Sequence, residues 1–87
     1  MNFIYIIGKM NDPFLKNFGL LVKKAREKKC ISQEQLGNAV EMHKNYIGMI
    51  ERGERNISFR KAIVLIQYLN INIMDLYNVT NVGEIKK

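Results

Sequence analysis

The chain has 87 residues, a length that suits one small domain with a modest hydrophobic core. Apolar residues make up 47% of it, which excludes a wholly disordered chain. Lys and Arg outnumber Asp and Glu by 14 to 8, and the formal charge of +6 suits a polyanionic partner such as nucleic acid. A single cysteine, Cys30, excludes an intramolecular disulfide. The sequence contains no recognisable signal peptide or membrane span, so we expect a cytoplasmic protein without membrane association.

The first 28 residues predict an arm followed by a helix. Residues 1–12 should form an N-terminal arm or short strand, since the bulky residues at positions 3–7 prefer β structure and precede Gly8. The first helix should begin at Pro13, because Asp12 is a suitable cap and proline suits the first helical position. The predicted apolar face of this helix comprises Phe14, Phe18, Leu21, Val22 and Ala25. The lysines on its other side are typical of a solvated face.

The segment from Ser32 to Gly53 predicts two short helices joined by a tight turn. Ser32 is a natural N-cap, and Gln35 completes a capping box three residues later. The predicted apolar faces comprise Leu36 and Val40 in one helix, and Met42, Ile47 and Ile50 in the other. Because only Glu41 and its neighbours remain for the turn, the helices must cross steeply. Such a pair is how a helix enters the major groove of DNA.

These residues resemble the helix-turn-helix family of phage repressors and Cro-like regulators, often called the XRE family. The letters SQEQL at 32–36 are similar to the family's opening S/T-Q-x-x-L, and YIGMIERG at 46–53 is similar to its close, Y-I-x-x-I-E-x-G. The resemblance covers about residues 14–77. It implies an all-α fold, namely a compact five-helix lambda-repressor-like domain over residues 13–78, followed by a tail at 79–87.

The last two helices follow from caps and from periodicity. Ser58 should cap the fourth helix, and Asn70 should end it in a left-handed conformation. Asn72 should then cap a short fifth helix. The apolar residues of the fourth helix recur with helical period, and they are Phe59, Ala62, Ile63, Leu65, Ile66 and Leu69. Those of the fifth helix are Ile73, Leu76 and Tyr77.

A helix in the major groove reads bases with side chains near its N-terminus and on its outward face. In the second helix of the motif these positions are His43, Lys44, Asn45, Gly48 and Met49. Lys44 can donate to guanine, whereas Asn45 can pair with adenine or contact phosphate. His43 stands where the family usually has a capping Ser or Thr, so a helix cap and a base contact are both open. Gly48 offers no side chain to the groove.

The resemblance assigns further roles to residues around this helix. Gln33 should contact phosphate and brace the recognition helix, while Arg55 and Asn56 should grip the DNA backbone. Tyr46 should either place its hydroxyl near the groove wall or pack its ring on the helix surface. The complete predicted DNA-binding set comprises Gln33, His43, Lys44, Asn45, Tyr46, Met49, Arg52, Arg55 and Asn56. Arg26 and Glu51 match a family ion pair that is structural.

Three positions depart from the family pattern. Glu41 replaces the usual Gly of the turn, where a positive φ costs a non-glycine residue on the order of 1 kcal/mol. Gly37 replaces the usual Ala that faces the next helix, which weakens the helix by up to about 1 kcal/mol. Ile57 stands where Pro is common. None of these changes removes a predicted DNA contact.

The first functional hypothesis is a transcriptional regulator that binds double-stranded DNA sequence-specifically as a homodimer on a palindromic operator. A single unit of this size would discriminate poorly, and a two-fold dimer doubles its contacts. The predicted dimer surface comprises Val64, Tyr68, Ile73, Tyr77 and Val79. The ERGERN run at 51–56 resembles restriction-modification controller proteins most closely within this class.

The second hypothesis is an antitoxin-type interaction module that occludes a partner protein, with the apolar arm at residues 1–9 as its binding segment. An enzyme is the weakest interpretation, because one His, one Cys and no clustered carboxylates provide neither a nucleophile-base pair nor a metal set. We therefore expect no cofactor, no metal and no small-molecule ligand.

Overall fold

The computed structural model describes residues 12–76, which are helical apart from their connections and contain no strand. Helix α1 spans Pro13–Lys28, α2 spans Gln33–Val40, α3 spans Lys44–Glu51 and α4 spans Phe59–Leu69. The last described helix, α5, begins at residue 73 and is described to residue 76. The prediction of an all-α, lambda-repressor-like helix-turn-helix domain is confirmed. The predicted arm, the tail, Tyr77 and Val79 lie outside the described residues.

The predicted caps start the helices. Asp12 accepts a hydrogen bond of 2.9 Å from the amide two residues later, ahead of the proline that opens α1. The capping box is complete, since Ser32 Oγ accepts from the Gln35 amide at 2.9 Å and Gln35 Oε1 accepts from the Ser32 amide at 2.8 Å. Ser58 Oγ caps α4 and Asn72 Oδ1 caps α5 in the same way. Such a cap stabilises a helix by about 1 kcal/mol.

Three non-glycine residues end helices or turns in the left-handed conformation. They are Cys30 (φ 61°), Glu41 (φ 60°) and Asn70 (φ 59°). Glu41 ends α2 by donating its amide N–H to the Gly37 carbonyl, so the turn keeps the geometry for which the family uses glycine. The predicted left-handed end of α4 at Asn70 is also confirmed. Cys30 lies exposed in the turn after α1.

One hydrophobic core joins all five helices. Its buried side chains are Phe18, Val22, Leu36, Ile47, Ile50, Leu65, Leu69 and Leu76. Two predicted apolar positions are exposed instead, Phe14 at 51% and Phe59 at 81%. Phe59 lies six residues before Leu65, so the two side chains point about 120° apart around α4. Phe14 precedes the buried part of α1, which begins at Phe18.

Two glycines allow α3 and its preceding turn to approach the other helices. A Cβ atom at Gly19 would overlap the backbone carbonyl oxygen of Ile50, so α1 and α3 touch through their backbones. A Cβ at Gly37 would overlap the carbonyl oxygen of Met42. The alanine that the family usually has at Gly37 would therefore require α2 and the turn to separate. No helix between residues 12 and 76 is long and apolar enough to cross a membrane.

Candidate nucleic-acid interface

A buried ion pair joins the end of α3 to α1. The Arg26 guanidinium donates from Nε to Glu51 Oε2 at 2.7 Å and from Nη2 to Oε1 at 3.1 Å. Its third nitrogen, Nη1, donates to the Ile31 carbonyl at 2.9 Å. The side chains of Arg26 and Glu51 are 12% and 2% exposed, and their hydrogen bond raises the pKa of Arg26. The ion pair expected from the family resemblance is therefore present in this chain.

Gln33 adds α2 to this network. Its Nε2 donates to Glu51 Oε1 at 3.0 Å, so one carboxylate accepts hydrogen bonds from both α1 and α2. A carboxylate can accept several such bonds, and bonds to a charged group are stronger than neutral ones. This contact provides the brace between α2 and α3 that the resemblance implies for Gln33. The amide of Gln33 carries a second N–H, which is the group suited to a phosphate.

His43 caps the N-terminus of α3. Its ring Nδ1 accepts a hydrogen bond of 3.0 Å from the Asn45 amide, so in the neutral ring the proton is on Nε2. The residue thus provides the cap for which the family uses Ser or Thr, one of the two alternatives left open by the sequence. Nε2 is the atom that remains suited to a DNA contact.

The side chains of α3 divide between the core and the surface. Lys44 and Asn45 are exposed at its first turn, Met49 is half-buried, and the two isoleucines of the helix are buried. Gly48 is also buried, which corrects its placement on the outward face. A Cβ there would lie 3.2 Å from Arg52 Nη1 and 3.5 Å from Gln33 Oε1, so this position faces the brace rather than the groove.

Arg52 forms a surface ion pair just after α3. Its Nε lies 2.9 Å from Glu54 Oε2, and both side chains are more than half exposed. The hydrogen bond raises the pKa of Arg52 and lowers that of Glu54. The Arg52 charge therefore already has an acidic partner in this structure.

Two cationic side chains contact the Tyr46 ring. The Arg55 guanidinium carbon is 5.5 Å from the ring centroid, and Lys61 Nζ is 4.6 Å from it. Each such contact contributes roughly 0.5–1 kcal/mol at an exposed site. The ring is half-buried, whereas Arg55, Asn56 and Lys61 are exposed. The Tyr46 ring therefore has the packing contacts of the second predicted placement, whereas a DNA contact of its hydroxyl stays a prediction.

Sequence reasoning missed Lys61. The apolar period of α4 identifies its core-facing residues and gives no information about Lys61. The Ser58 cap places Lys61 in the first turn of α4, but no signal in the sequence relates that turn to the Tyr46 ring. The structure thus brings Arg55 and Lys61 to the Tyr46 ring of α3, whose first turn exposes Lys44 and Asn45. Asn56 is exposed in the loop after α3, and its DNA contact stays a prediction.

The described members of the predicted dimer surface are partly accessible. Val64 is half-buried, Tyr68 is 42% exposed and Ile73 is 50% exposed. Lys29 Nζ lies 5.3 Å from the Tyr68 ring centroid. Met74 is also exposed, at 54%, and lies beside Ile73 in α5. Residues 12–76 contain no group of three acidic, His or Cys side chains that could hold a metal ion.

Two short helices joined by a tight turn, with the second braced from α1 and exposing polar side chains at its start, define a helix-turn-helix DNA-binding domain. The helix-turn-helix family model matches residues 22–76. The chain belongs to this family, of the XRE type, whose members are DNA-binding regulators and not enzymes. These findings confirm the family resemblance and the interpretation as a non-enzymatic regulator.

Three relatives carry names of control or controller proteins. The chain is 38% identical over 55 residues to control protein C.SmaI of Serratia marcescens, a match covering 63% of this chain and 66% of that protein. It is 36% identical over 67 residues to control protein C.BamHI of Bacillus amyloliquefaciens, covering 76% and 83%. The crystal structure of the restriction-modification controller protein C.AhdI from Aeromonas hydrophila superposes with a TM-score of 0.64 at 34% identity, covering 71% and 94%.

Proposed function

We propose that this chain is a transcriptional regulator that binds double-stranded DNA sequence-specifically as a homodimer, and that it controls a restriction-modification system. The observation that carries the proposal is the bracing of α3. Arg26 and Gln33 converge on Glu51 at one end of the helix, while Lys44 and Asn45 are exposed at the other. A rigid helix with exposed polar residues at its first turn suits direct reading of base edges.

The residues around α3 have different roles in this proposal. Lys44 and Asn45 read bases, with His43 Nε2 and Met49 as flanking contacts. The phosphate contacts come from Gln33, Arg55 and Asn56, which surround the helix rather than project from its first turn. Arg52 adds positive charge that Glu54 partly offsets. Phosphate contacts supply affinity and register, whereas base contacts supply sequence preference.

Dimerisation is supported by the apolar side chains that α4 and α5 expose. Tyr68, Ile73 and Met74 are each between 42% and 54% exposed. Joining two subunits through this surface, together with Val64, Tyr77 and Val79, would cover it. A two-fold dimer places its recognition helices one turn of DNA apart, about 34 Å, and therefore requires a palindromic operator.

The controller assignment rests on the names of the relatives, together with their coverage and identity. The antitoxin alternative depended on residues 1–9, which lie outside the described residues, and nothing between residues 12 and 76 favours it.

The decisive experiment is selection of bound duplexes from a random library by the full chain. We expect a two-fold symmetric motif with half-sites about 10 base pairs apart. Lys44→Ala and Asn45→Ala should each weaken binding to the best site by about 1–3 kcal/mol and relax the motif at particular positions. Lys23→Ala on the solvated side of α1 is the matched control and should leave the motif unchanged. A library without enrichment would contradict sequence-specific binding.

A second experiment tests control of transcription. The selected site is placed upstream of a reporter gene, together with wild-type protein or the Lys44→Ala variant. We expect the wild type alone to change reporter expression, and we expect the same site near its own gene or an adjacent nuclease or methyltransferase gene. A site that is absent from such promoters would contradict the controller role but leave DNA binding intact.

A further inference from the structure

We infer that Lys61 is a phosphate-binding residue of the interface and that Tyr46 positions it together with Arg55. This inference rests on the proposed DNA-binding function and extends it to residues beyond the helix-turn-helix motif. The juxtaposition that carries it is one aromatic ring of α3 contacted by cations from the following loop and from α4.

The ring sets the positions of two charges that would otherwise be flexible. Lys and Arg side chains have many rotamers, and ordering them on DNA opposes binding. Contact with the Tyr46 face at 5.5 Å and 4.6 Å holds both cations beside α3 before DNA arrives. Since Arg55 and Lys61 remain exposed, their donors stay accessible to a phosphate.

The two cations repel each other, and within the described residues neither has an ion-pair partner among the carboxylates; the salt bridges there are Arg26 with Glu51 and Arg52 with Glu54. Two like charges held on one ring favour an anion between or beside them. A duplex docked on α3 brings its phosphate backbone to the rim of that helix. The backbone strand nearest Tyr46 is therefore the ligand that this pair of cations fits.

The position of Lys61 also determines which variant can serve as the matched control. Lys28, the last residue of α1, lines a groove together with Leu69 and Asn70 at the C-terminal end of α4. Eight residues of helix separate Lys61 from Leu69, or about 12 Å along the axis. Lys28→Gln therefore removes the same charge at a position remote from the Tyr46 ring.

The experiment measures the salt dependence of binding to a selected duplex and to a random duplex. We expect Lys61→Gln to reduce the slope of log affinity against log salt by about 0.9 for each bound subunit, on both duplexes. Lys61→Arg and Lys28→Gln should leave the slope unchanged. Tyr46→Phe keeps the ring and should retain the wild-type slope, whereas Tyr46→Leu should lower it by more than the loss of Lys61 does.

Each outcome separates this inference from the proposed function. If the wild type binds no duplex, the proposed function fails. If the wild type binds and Lys61→Gln keeps the same slope as Lys28→Gln, only the inference is overturned. If Tyr46→Phe loses preference for one base pair while keeping its salt slope, the tyrosine hydroxyl reads DNA and Tyr46 is not a positioning residue.

Discussion

Removal of Arg26 should destabilise the domain more than any surface substitution. In Arg26→Met the apolar stem is largely retained, but the Glu51 carboxylate loses both guanidinium bonds while its side chain stays 2% exposed. Breaking a buried pair from one side costs about 3–5 kcal/mol, because an uncompensated charge remains. Because the Gln33 amide still donates to Glu51, the expected loss of stability lies near the lower end of this range, at about 3 kcal/mol.

The assay is urea unfolding followed by helical circular dichroism. A domain of this size has an unfolding slope of roughly 1 kcal/mol per molar urea, so the midpoint should fall by about 3 M. Glu51→Met should lower the free energy of unfolding by less than Arg26→Met does, because the Arg26 side chain can still reach solvent. The double variant Arg26→Met/Glu51→Met should lose less free energy of unfolding than the two single variants lose together. The difference should be at least about 2 kcal/mol.

Arg26→Lys provides the graded control. It keeps the positive charge but loses the two-point geometry and the bond to the Ile31 carbonyl, so an intermediate loss of about 1–2 kcal/mol is expected. Should Arg26→Met be too unstable to purify, Arg26→Lys and the double variant still test the reasoning. Strict additivity of the two methionine substitutions, or a loss below about 1 kcal/mol for Arg26→Met, would refute it.

The remaining predictions concern the turn, the surface ion pair and the dimer. Gly37→Ala should destabilise the domain by about 1–3 kcal/mol in urea unfolding, although alanine favours helices, because its Cβ overlaps a backbone carbonyl. Arg52 lowers the pKa of Glu54, so this pair stabilises the fold at neutral pH and loses its effect as pH falls; an NMR titration of Arg52→Gln should show the Glu54 pKa rising toward its ordinary value. Tyr68→Glu with Ile73→Glu should shift sedimentation toward monomer and weaken operator binding, with little loss of helical signal; an intact dimer would move the interface elsewhere.

The sequence was sufficient to predict the structure wherever a local interaction determines the backbone geometry. Asp12, Ser32 and Ser58 start helices through bonds to amides two or three residues away, and such bonds need no tertiary contact. The left-handed conformation of Glu41 was expected from the family resemblance, because Glu41 stands where the family usually has Gly. The family resemblance also predicted the pairing of Arg26 with Glu51, 25 positions away, which local sequence patterns cannot predict.

The predictions were wrong or incomplete where the rotation of a helix about its axis mattered. Phe59 fits the apolar period of α4 almost as well as its neighbours, yet the helix presents Leu65 and Leu69 to the core and turns Phe59 to solvent. The same rotation brings Lys61 over the Tyr46 ring. Periodicity shows that a helix has an apolar face, but packing against other helices decides which edge of that face is buried. The exposure of Phe59 and the contact of Lys61 with the Tyr46 ring both depend on tertiary packing, which the apolar period of α4 alone does not determine.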